Sequence, residues 1–472
     1  MKQRRTLKPL PRPMTRAAAE AIAVKLQTAL AMHQQGQLDL AETLYREILQ
    51  SQPLHFDALQ LLATIAAQQG NSPMAVELFE RALMVKPDYA PALSNRGTAL
   101  LELQRPEEAL ESFDRALKIK PDYALALHGR GNTLRELQRY EEALESYGRA
   151  LEIKPDYAEV HWNESLCRLL LGDFDLGWRK YEWRWKHGPS LSAVRSFAQP
   201  LWLGEVPLAG KTILLHAEHG FGDTLQFCRY AQLVAARGAR VVLEVPPALK
   251  SLCQTLAGVD TLLDYTEGLP PFDFQTPLMS LPLAFGTRLD SIPADVPYLH
   301  SDPQKVAAWH ALLGPRNKPR VGLVWGGSPA HGNDRNRSLP LALLADLIGD
   351  AGEFICLQKE FRKEDELFVR QHSNIRVFSE RLRDFADTAA LIETLDLVIT
   401  VDTSVAHLAG ALGKPVWVLL PFAPDFRWLL EREDSPWYPT ARLFRQSQFG
   451  QWAPVLAEVR KALAARFNDG SA

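Results

Sequence analysis

A spacing of 34 residues runs through the first part of the chain and constrains its fold more than any other feature. Pro53, Pro87, Pro121 and Pro155 keep this period, as do Ala41, Ala75, Ala109 and Ala143. An aromatic series follows it too: Tyr45, Phe79, Phe113, Tyr147 and Tyr181. Gly36, Gly70 and Gly172 hold one further slot, with Gln104 and Gln138 in the positions between them. The string "KPDYA" recurs at residues 86, 120 and 154. Independent positions sharing one period mean a repeat array, because a unit of this length cannot bury its apolar face alone and must stack on its neighbours. The small residue marks a helix crossing, the aromatic belongs to the second helix and the proline follows that helix. Four full repeats run from about residue 20, and a fifth, degenerate one ends in "GDFDLGWRKYEWRW". The array is expected over residues 20–190 as a solenoid with a concave groove, closed by a cap of Trp178, Tyr181, Trp183 and Trp185.

A length of 472 residues exceeds one core and implies further domains. With 46% hydrophobic and 23% charged residues the composition is that of a soluble globular chain. A net charge of −3 supplies no field that would gather nucleic acid. The four cysteines lack metal-ligand spacing and fit a reducing compartment, so a cytoplasmic location is expected. No apolar run is long enough to span a bilayer. The stretch "MKQRRTLKPLPRPMTR" places six basic residues before the first acid, Glu20, and no apolar run follows it. Residues 1–19 are therefore expected to be a basic, disordered tail rather than a secretory signal, with contact to anionic lipid or a partner as the alternative.

From residue 210 the pattern changes to alternating strands and helices. "KTILLHAEHGFGDTLQFCRYAQLVAARGARVVLEV" reads strand, glycine-rich turn, helix, strand. "VDTLLDY" and "FDFQTPL" add short strands, and "SIPADVPYLHSDP" is a proline-rich linker. "RVGLVWGG", "EFICLQ", "NIRVFS", "LDLVITV" and "KPVWVLL" follow, separated by helical segments. Such alternation means parallel sheets with helices on both faces. Two Rossmann-like domains are expected, at 205–295 and 301–468, facing each other across a cleft. In "DTSVAHLAGALGKP", polar residues stand at the carboxyl end of a strand, where open parallel sheets hold ligands.

The array resembles the tetratricopeptide repeat. "HGFGDTLQF" (219–227), "GLVWGGS" with "RNRSLP" (322–340) and "VDTSVAHLAGALGKPV" (401–416) resemble the three ligand-facing segments of the ADP-heptose:lipopolysaccharide heptosyltransferase family, in that family's order, over roughly residues 210–465. Repeats followed by such a module resemble the bacterial tetratricopeptide glycosyltransferases. The resemblance implies an α-solenoid followed by an α/β module of the GT-B fold and an enzyme that needs no metal or other cofactor. It implies a nucleoside-diphosphate sugar donor and a protein, glycan or lipid acceptor. Arg337 matches the family's phosphate-contacting basic residue, while Leu339 replaces an aromatic. Asp223 matches the catalytic base, which implies direct displacement with inversion.

The chemistry of the segments fits that implication. Negative charge grows on the leaving diphosphate as the glycosidic bond breaks, and preorganised positive potential there lowers the barrier. The helix starting at Ser404 offers unpaired N–H groups and a dipole to the pyrophosphate, with His407 as a further donor. Asp402 and Thr403 would reach sugar or ribose hydroxyls; the alternative is an ordinary N-cap pair. Gly326 and Gly327 let the backbone approach a ligand, and Ser328 adds a hydroxyl. Arg337 offers a bidentate fork to phosphate, with Arg335 as a substitute. Gln358 and Lys359 are candidate nucleoside contacts. Asp223 would take the acceptor's proton, or else cap its helix. Asn95 and Asn163 share one slot of the repeat, held by Leu61 and Gly129 elsewhere, and are the candidates for an acceptor groove. This resembles in part the asparagine ladder of protein O-GlcNAc transferases, and a protein partner is expected in the groove. The "DFD" at 173–175 imitates a metal-binding motif but falls in an inter-helix turn, so no metal is assigned to it. Two other readings compete. One is a non-catalytic adaptor that retains a nucleotide-sugar-binding fold. The other is a dinucleotide enzyme, disfavoured because no G-x-G-x-x-G opens a helix after a strand.

Overall fold

The computed structural model describes residues 15–187, 195–329, 331–348, 352–371 and 374–468. Helical hairpins come first: α1 (Arg16–Gln34) with α2 (Leu38–Ser51), α3 (Phe56–Gln68) with α4 (Ser72–Val85), α5 (Ala90–Glu102) with α6 (Pro106–Ile119), and α7 (Ala124–Glu136) with α8 (Tyr140–Ile153). A further pair follows, α9 (Ala158–Leu170) and α10 (Phe174–Tyr181). The lattice alanines Ala41, Ala75, Ala109 and Ala143 are fully buried, and so are Tyr45, Phe79, Phe113 and Tyr147. The aromatic ring sets the small residue opposite: a Cβ on Gly97 would come within 2.8 Å of the Phe113 ring. The helical region starts earlier than the expected tail allows. Thr15 accepts a hydrogen bond from the Ala18 N–H and caps α1, and Arg16 pairs with Glu20. Residues 1–14 of the expected tail lie outside the described residues.

The glycine slot closes each hairpin. Gly36, Gly70, Gln104, Gln138 and Gly172 have φ of 76, 75, 57, 58 and 83°. The next residue in each case donates its N–H to a carbonyl five positions back, as Arg105 does to Leu100 and Arg139 to Leu134 at 3.0 and 2.8 Å. This is the left-handed helix stop that glycine normally supplies. Two glutamines occupy it here.

The chain divides into two compact units after Val160. The fifth repeat and the tryptophan-rich segment thus pack with the sheets, whereas a single array had been expected to run to residue 190. The reason lies in their neighbours: Trp178 meets Phe227 and Phe426 edge-on, at 6.2 and 5.7 Å between ring centres. Arg184 is fully buried against Glu218 and Ser280. Asp173 caps α10 and pairs with Arg168, and Asp175 pairs with Arg288.

Two parallel sheets complete this unit. The first has the order β3 (Thr261–Asp264), β2 (Arg240–Val245), β1 (Thr212–His216), β4 (Phe274–Pro277). The second runs β7 (Ile375–Val377), β6 (Glu353–Cys356), β5 (Arg320–Val324), β8 (Leu397–Val401), β9 (Val416–Leu420), β10 (Ala441–Arg445). That is the doubly wound order, in which the chain reverses direction between β5 and β8 and leaves a crevice at their carboxyl ends. β5, β8 and β9 are buried along their whole length and mostly apolar, with Arg320 opening β5 and Thr400 within β8. β10 went unrecognised in the sequence because it is an edge strand, "ARLFR", whose Arg442 faces out. Among the described residues no helix is long and apolar enough to cross a membrane.

The left-handed glutamines generate a prediction. That conformation costs an L-residue about 1–2 kcal/mol, partly offset in glycine by its greater freedom when unfolded. Gln104→Gly and Gln138→Gly are each expected to stabilise the repeats by roughly 0.5–1 kcal/mol, seen as a raised thermal or urea midpoint. A lowered midpoint in both variants would show that the slot imposes no strain.

Candidate functional site

At the β5–β8 reversal two strand ends lie side by side. β5 leaves through Trp325, Gly326, Gly327 and Ser328, and β8 through Asp402 and Thr403 into the helix Ser404–Ala411. Arg337 joins them, its Nη1 donating to the Asp402 carbonyl oxygen at 2.9 Å. The guanidinium fills the space a side chain at 327 would need: a Cβ there would be 2.5 Å from Arg337 Nη2. Gly327 is thus a glycine because an arginine crosses its backbone. Ser338 accepts from the Gly327 N–H at 2.9 Å and donates to Asp334 at 2.8 Å. Thr403 holds the N-cap position without capping; its hydroxyl meets that of Thr400 at 3.1 Å. Burial, with Asp425 repelling and Arg337 and Arg427 opposing, pushes the Asp402 carboxyl up to about 6. Ser404 is half-buried and Ser328 is exposed.

The first sheet sends its own turn to the same place. β1 continues through Glu218 and His219 into the helix Phe221–Phe227. A Cβ on Gly222 would stand 2.8 Å from His407 Cδ2 and 3.5 Å from Ser404 Cα, so the first turns of the two helices abut. Asp223 both caps and pairs: Oδ2 accepts from the Gly220 N–H at 2.9 Å, and Oδ1 takes the Nη2 of Arg427. Arg427, buried, also donates to Gln226 and to Asp425, both at 2.7 Å. Nothing in "PDFRW" marks this arginine's role beforehand, since Asp425 is its neighbour there but Asp223 and Gln226 lie some two hundred residues away.

Two of the expected contact residues turn their polar atoms into the protein. His407 is part of the wall: its Nδ1 lies 3.0 Å from the Tyr438 hydroxyl, its ring stacks on Trp428, and burial holds its pKa well below the ordinary value. It is held neutral, so any donation to phosphate would come from an uncharged imidazole. Gln358 spends its amide on Gly326, accepting from the N–H at 3.3 Å and donating to the carbonyl at 3.0 Å, so it shapes the turn. Lys359 is exposed and donates to the Arg383 carbonyl at 3.2 Å. Asn95 is half-buried in the first compact unit, while Asn163 is buried in the second. Arg335 lies with Arg337 on the short helix Asp334–Arg337.

Residues 26–88 and 88–156 match models of the tetratricopeptide repeat. Residues 382–420, which hold β8, the helix after it and β9, match the model of glycosyltransferase family 9 (heptosyltransferase). The chain carries tetratricopeptide repeats and a heptosyltransferase-type segment. Protein FlbA of Caulobacter vibrioides is 28% identical over 334 residues, covering 65% of this chain and 55% of FlbA. The chain thus spans about half the length of that curated relative. Among solved structures, MamA is 20% identical and covers 34% of this chain and 92% of its own, with a TM-score of 0.32. PilW, a type IV pilus biogenesis factor, is 23% identical and covers 37% and 82%, with a TM-score of 0.34.

In the glycosyltransferase-like module the β1–β4 end holds a buried charge cluster that the sequence did not announce. Arg184 donates to Glu182 at 2.6 Å, Glu218 at 2.9 Å and Ser280 at 2.7 Å. One guanidinium faces two carboxylates, and Glu218 Oε2 is buried with no hydrogen-bond partner. Burial outweighs Arg184 and pushes Glu218 up to about 7 from an ordinary 4.5. The folded state therefore holds a proton that the unfolded state releases. This contribution to stability is full below about pH 4.5 and is lost as pH rises through about 7. Glu218→Gln is expected to lose less stability than the wild-type chain between pH 5 and 8, read as urea midpoints at each pH. Equal losses would mean that Glu218 is ionised throughout.

Proposed function

We propose that the chain transfers a sugar from a nucleoside-diphosphate sugar to a hydroxyl acceptor by metal-independent displacement with inversion. One observation carries the reading: segments 219–227, 326–338 and 402–407 converge at facing strand ends. Arg337 bridges the two outgoing strands of the donor half, and Asp223 stands on the opposing turn. The acceptor oxygen attacks the anomeric carbon, the bond from that carbon to the diphosphate oxygen breaks, and its electron pair leaves with the diphosphate. Arg337 and the uncapped N–H groups at Ser404 stabilise the charge that develops. Asp402 and Thr403 face sugar or ribose hydroxyls. The acceptor's proton passes to Asp223, whose side chain is 24% exposed and so remains open to a hydroxyl. The repeats present the acceptor, a role Asn95 would share.

The adaptor reading draws support from a different feature. Both oxygens of Asp223 are engaged, one by a backbone N–H and one by Arg427, as in a residue kept for shape. A thermal-shift screen of ADP-, UDP-, GDP- and CMP-linked sugars separates donor binders from non-binders, since ligand at about 100 times its dissociation constant stabilises by about 2.7 kcal/mol. Release of nucleotide from a stabilising donor then decides between enzyme and adaptor.

Asp223→Asn is expected to slow the chemical step by about 10²–10⁴-fold with donor affinity unchanged. It should also lower stability by about 1–3 kcal/mol, because Arg427 loses one carboxylate partner while keeping Asp425 and Gln226. Full transfer activity in this variant would remove Asp223 as the base. Deleting residues 1–150 is expected to leave donor affinity intact and to reduce transfer to the natural acceptor. Loss of donor affinity in a folded deletion variant would contradict that division.

A further inference from the structure

The carboxylate beneath Gly327 holds two arginines, not one. Asp334 is 5% exposed, and its Oδ1 lies 3.6 Å from Arg337 Nε, a buried donor with no hydrogen-bond partner. Its Oδ2 takes Arg362 Nη2 at 2.5 Å. A Cβ on Gly326 would be 3.9 Å from Arg362 Nη2, while Arg337 crosses Gly327. The two guanidiniums therefore flank the Gly-Gly turn at the end of β5. Arg362 keeps its place through its neighbours. Phe361 packs on Trp325 at 5.8 Å between ring centres. Asp365, buried in the helix Lys363–Gln371, accepts from the Leu341 N–H at 3.3 Å. The Arg362 side chain is still 41% exposed, so its fork is available to a ligand.

Resting on the donor reading above, we infer that Arg362 is a second diphosphate-binding residue and that Asp334 positions both guanidiniums for it. A diphosphate has oxygens on two phosphorus atoms, more than one arginine fork can hold, and a paired carboxylate costs less flexibility than ordering two free arginines on binding.

The test uses the full chain and inorganic pyrophosphate as the probe, titrated by calorimetry. Arg362→Ala and Arg337→Ala are each expected to weaken binding by about tenfold or more. Arg370→Ala removes an equal charge from the exposed end of the same segment, where the arginine lies 3.8 Å from Glu366. It is expected to leave affinity unchanged. Asp334→Asn sharpens the test through its sign. Removing a negative charge beside an anion site strengthens binding if the carboxylate acts only as a charge, and weakens it if the carboxylate positions the arginines. Weaker binding is expected. Should Asp334→Asn fail to fold, the exposed Arg362→Ala and Arg362→Gln variants carry the test. Wild-type affinity in the Arg362 variants, with Arg337→Ala weakened, overturns the inference and leaves the donor reading standing. Equal weakening by Arg370→Ala also overturns it. No pyrophosphate binding by the wild-type chain overturns both.

Discussion

The buried guanidinium of Arg427 fixes the relation between the two sheet ends on which every proposed role depends. A cation out of water must be paired, and removing one partner of such a pair costs about 3–5 kcal/mol. Arg427 is paired from both sides: Asp223 and Gln226 belong to the first sheet's helix, and Asp425 to the loop after β9. A second buried arginine, Arg229, does the same nearby. It donates to the carbonyls of Pro293 and Trp437 at 2.8 and 2.9 Å and to the Tyr298 hydroxyl at 2.9 Å. Helix, linker and loop are thereby stapled together by hydrogen bonds that fail as a group if any one element shifts.

What the sequence disclosed follows from the physics of each feature. A 34-residue period survives in the sequence because each repeat must present the same face to the next. Even the glutamines of the left-handed slot stood on the lattice before their φ was known. The period also carries Tyr181, yet Tyr181 and Trp178 meet Phe426. A lattice states what a position is, not what it packs on, so the unit boundary fell thirty residues from where the pattern ends. Strands buried on both faces were plain as apolar runs; the edge strand β10, with charge on one face, was not.

The candidate site divides along the same line. Asp402, Thr403 and Ser404 were legible because polar residues directly after an apolar run mark a strand's carboxyl end. Asp223 and Arg337 were legible through motif resemblance. Asp334, Arg362 and Arg427 were not, because only tertiary contact gives them meaning: Arg362 meets Asp334 from 28 residues away. Gln358 and His407 were less legible for the converse reason. Both sit at the expected strand or helix end, but their polar atoms turn inward, toward the Gly326 backbone and the Tyr438 hydroxyl.

The charges at the two sheet ends are of opposite excess. At the β5–β8 end one carboxylate, Asp334, lies against two guanidiniums, Arg337 and Arg362, an excess of one positive charge. Where the loop after β9 meets the first sheet's helix, one guanidinium, Arg427, lies between two carboxylates, Asp223 and Asp425, an excess of one negative charge. Asp402, whose pKa burial and Asp425 raise to about 6, is protonated only below that pH; above it the carboxylate adds negative charge between the two ends, opposed by Arg337 and Arg427. His407 adds nothing, being neutral. A sugar donor leaving as an anion needs the positive end, and a hydroxyl giving up a proton needs the negative one. In the proposed reaction the two ends would act on the bond being broken, the more strongly the less water lies between them. The separation depends on Arg427 being shared: were it released to Asp425 alone, Asp223 would lose the contact that aims it, and the field along the bond would lose its direction.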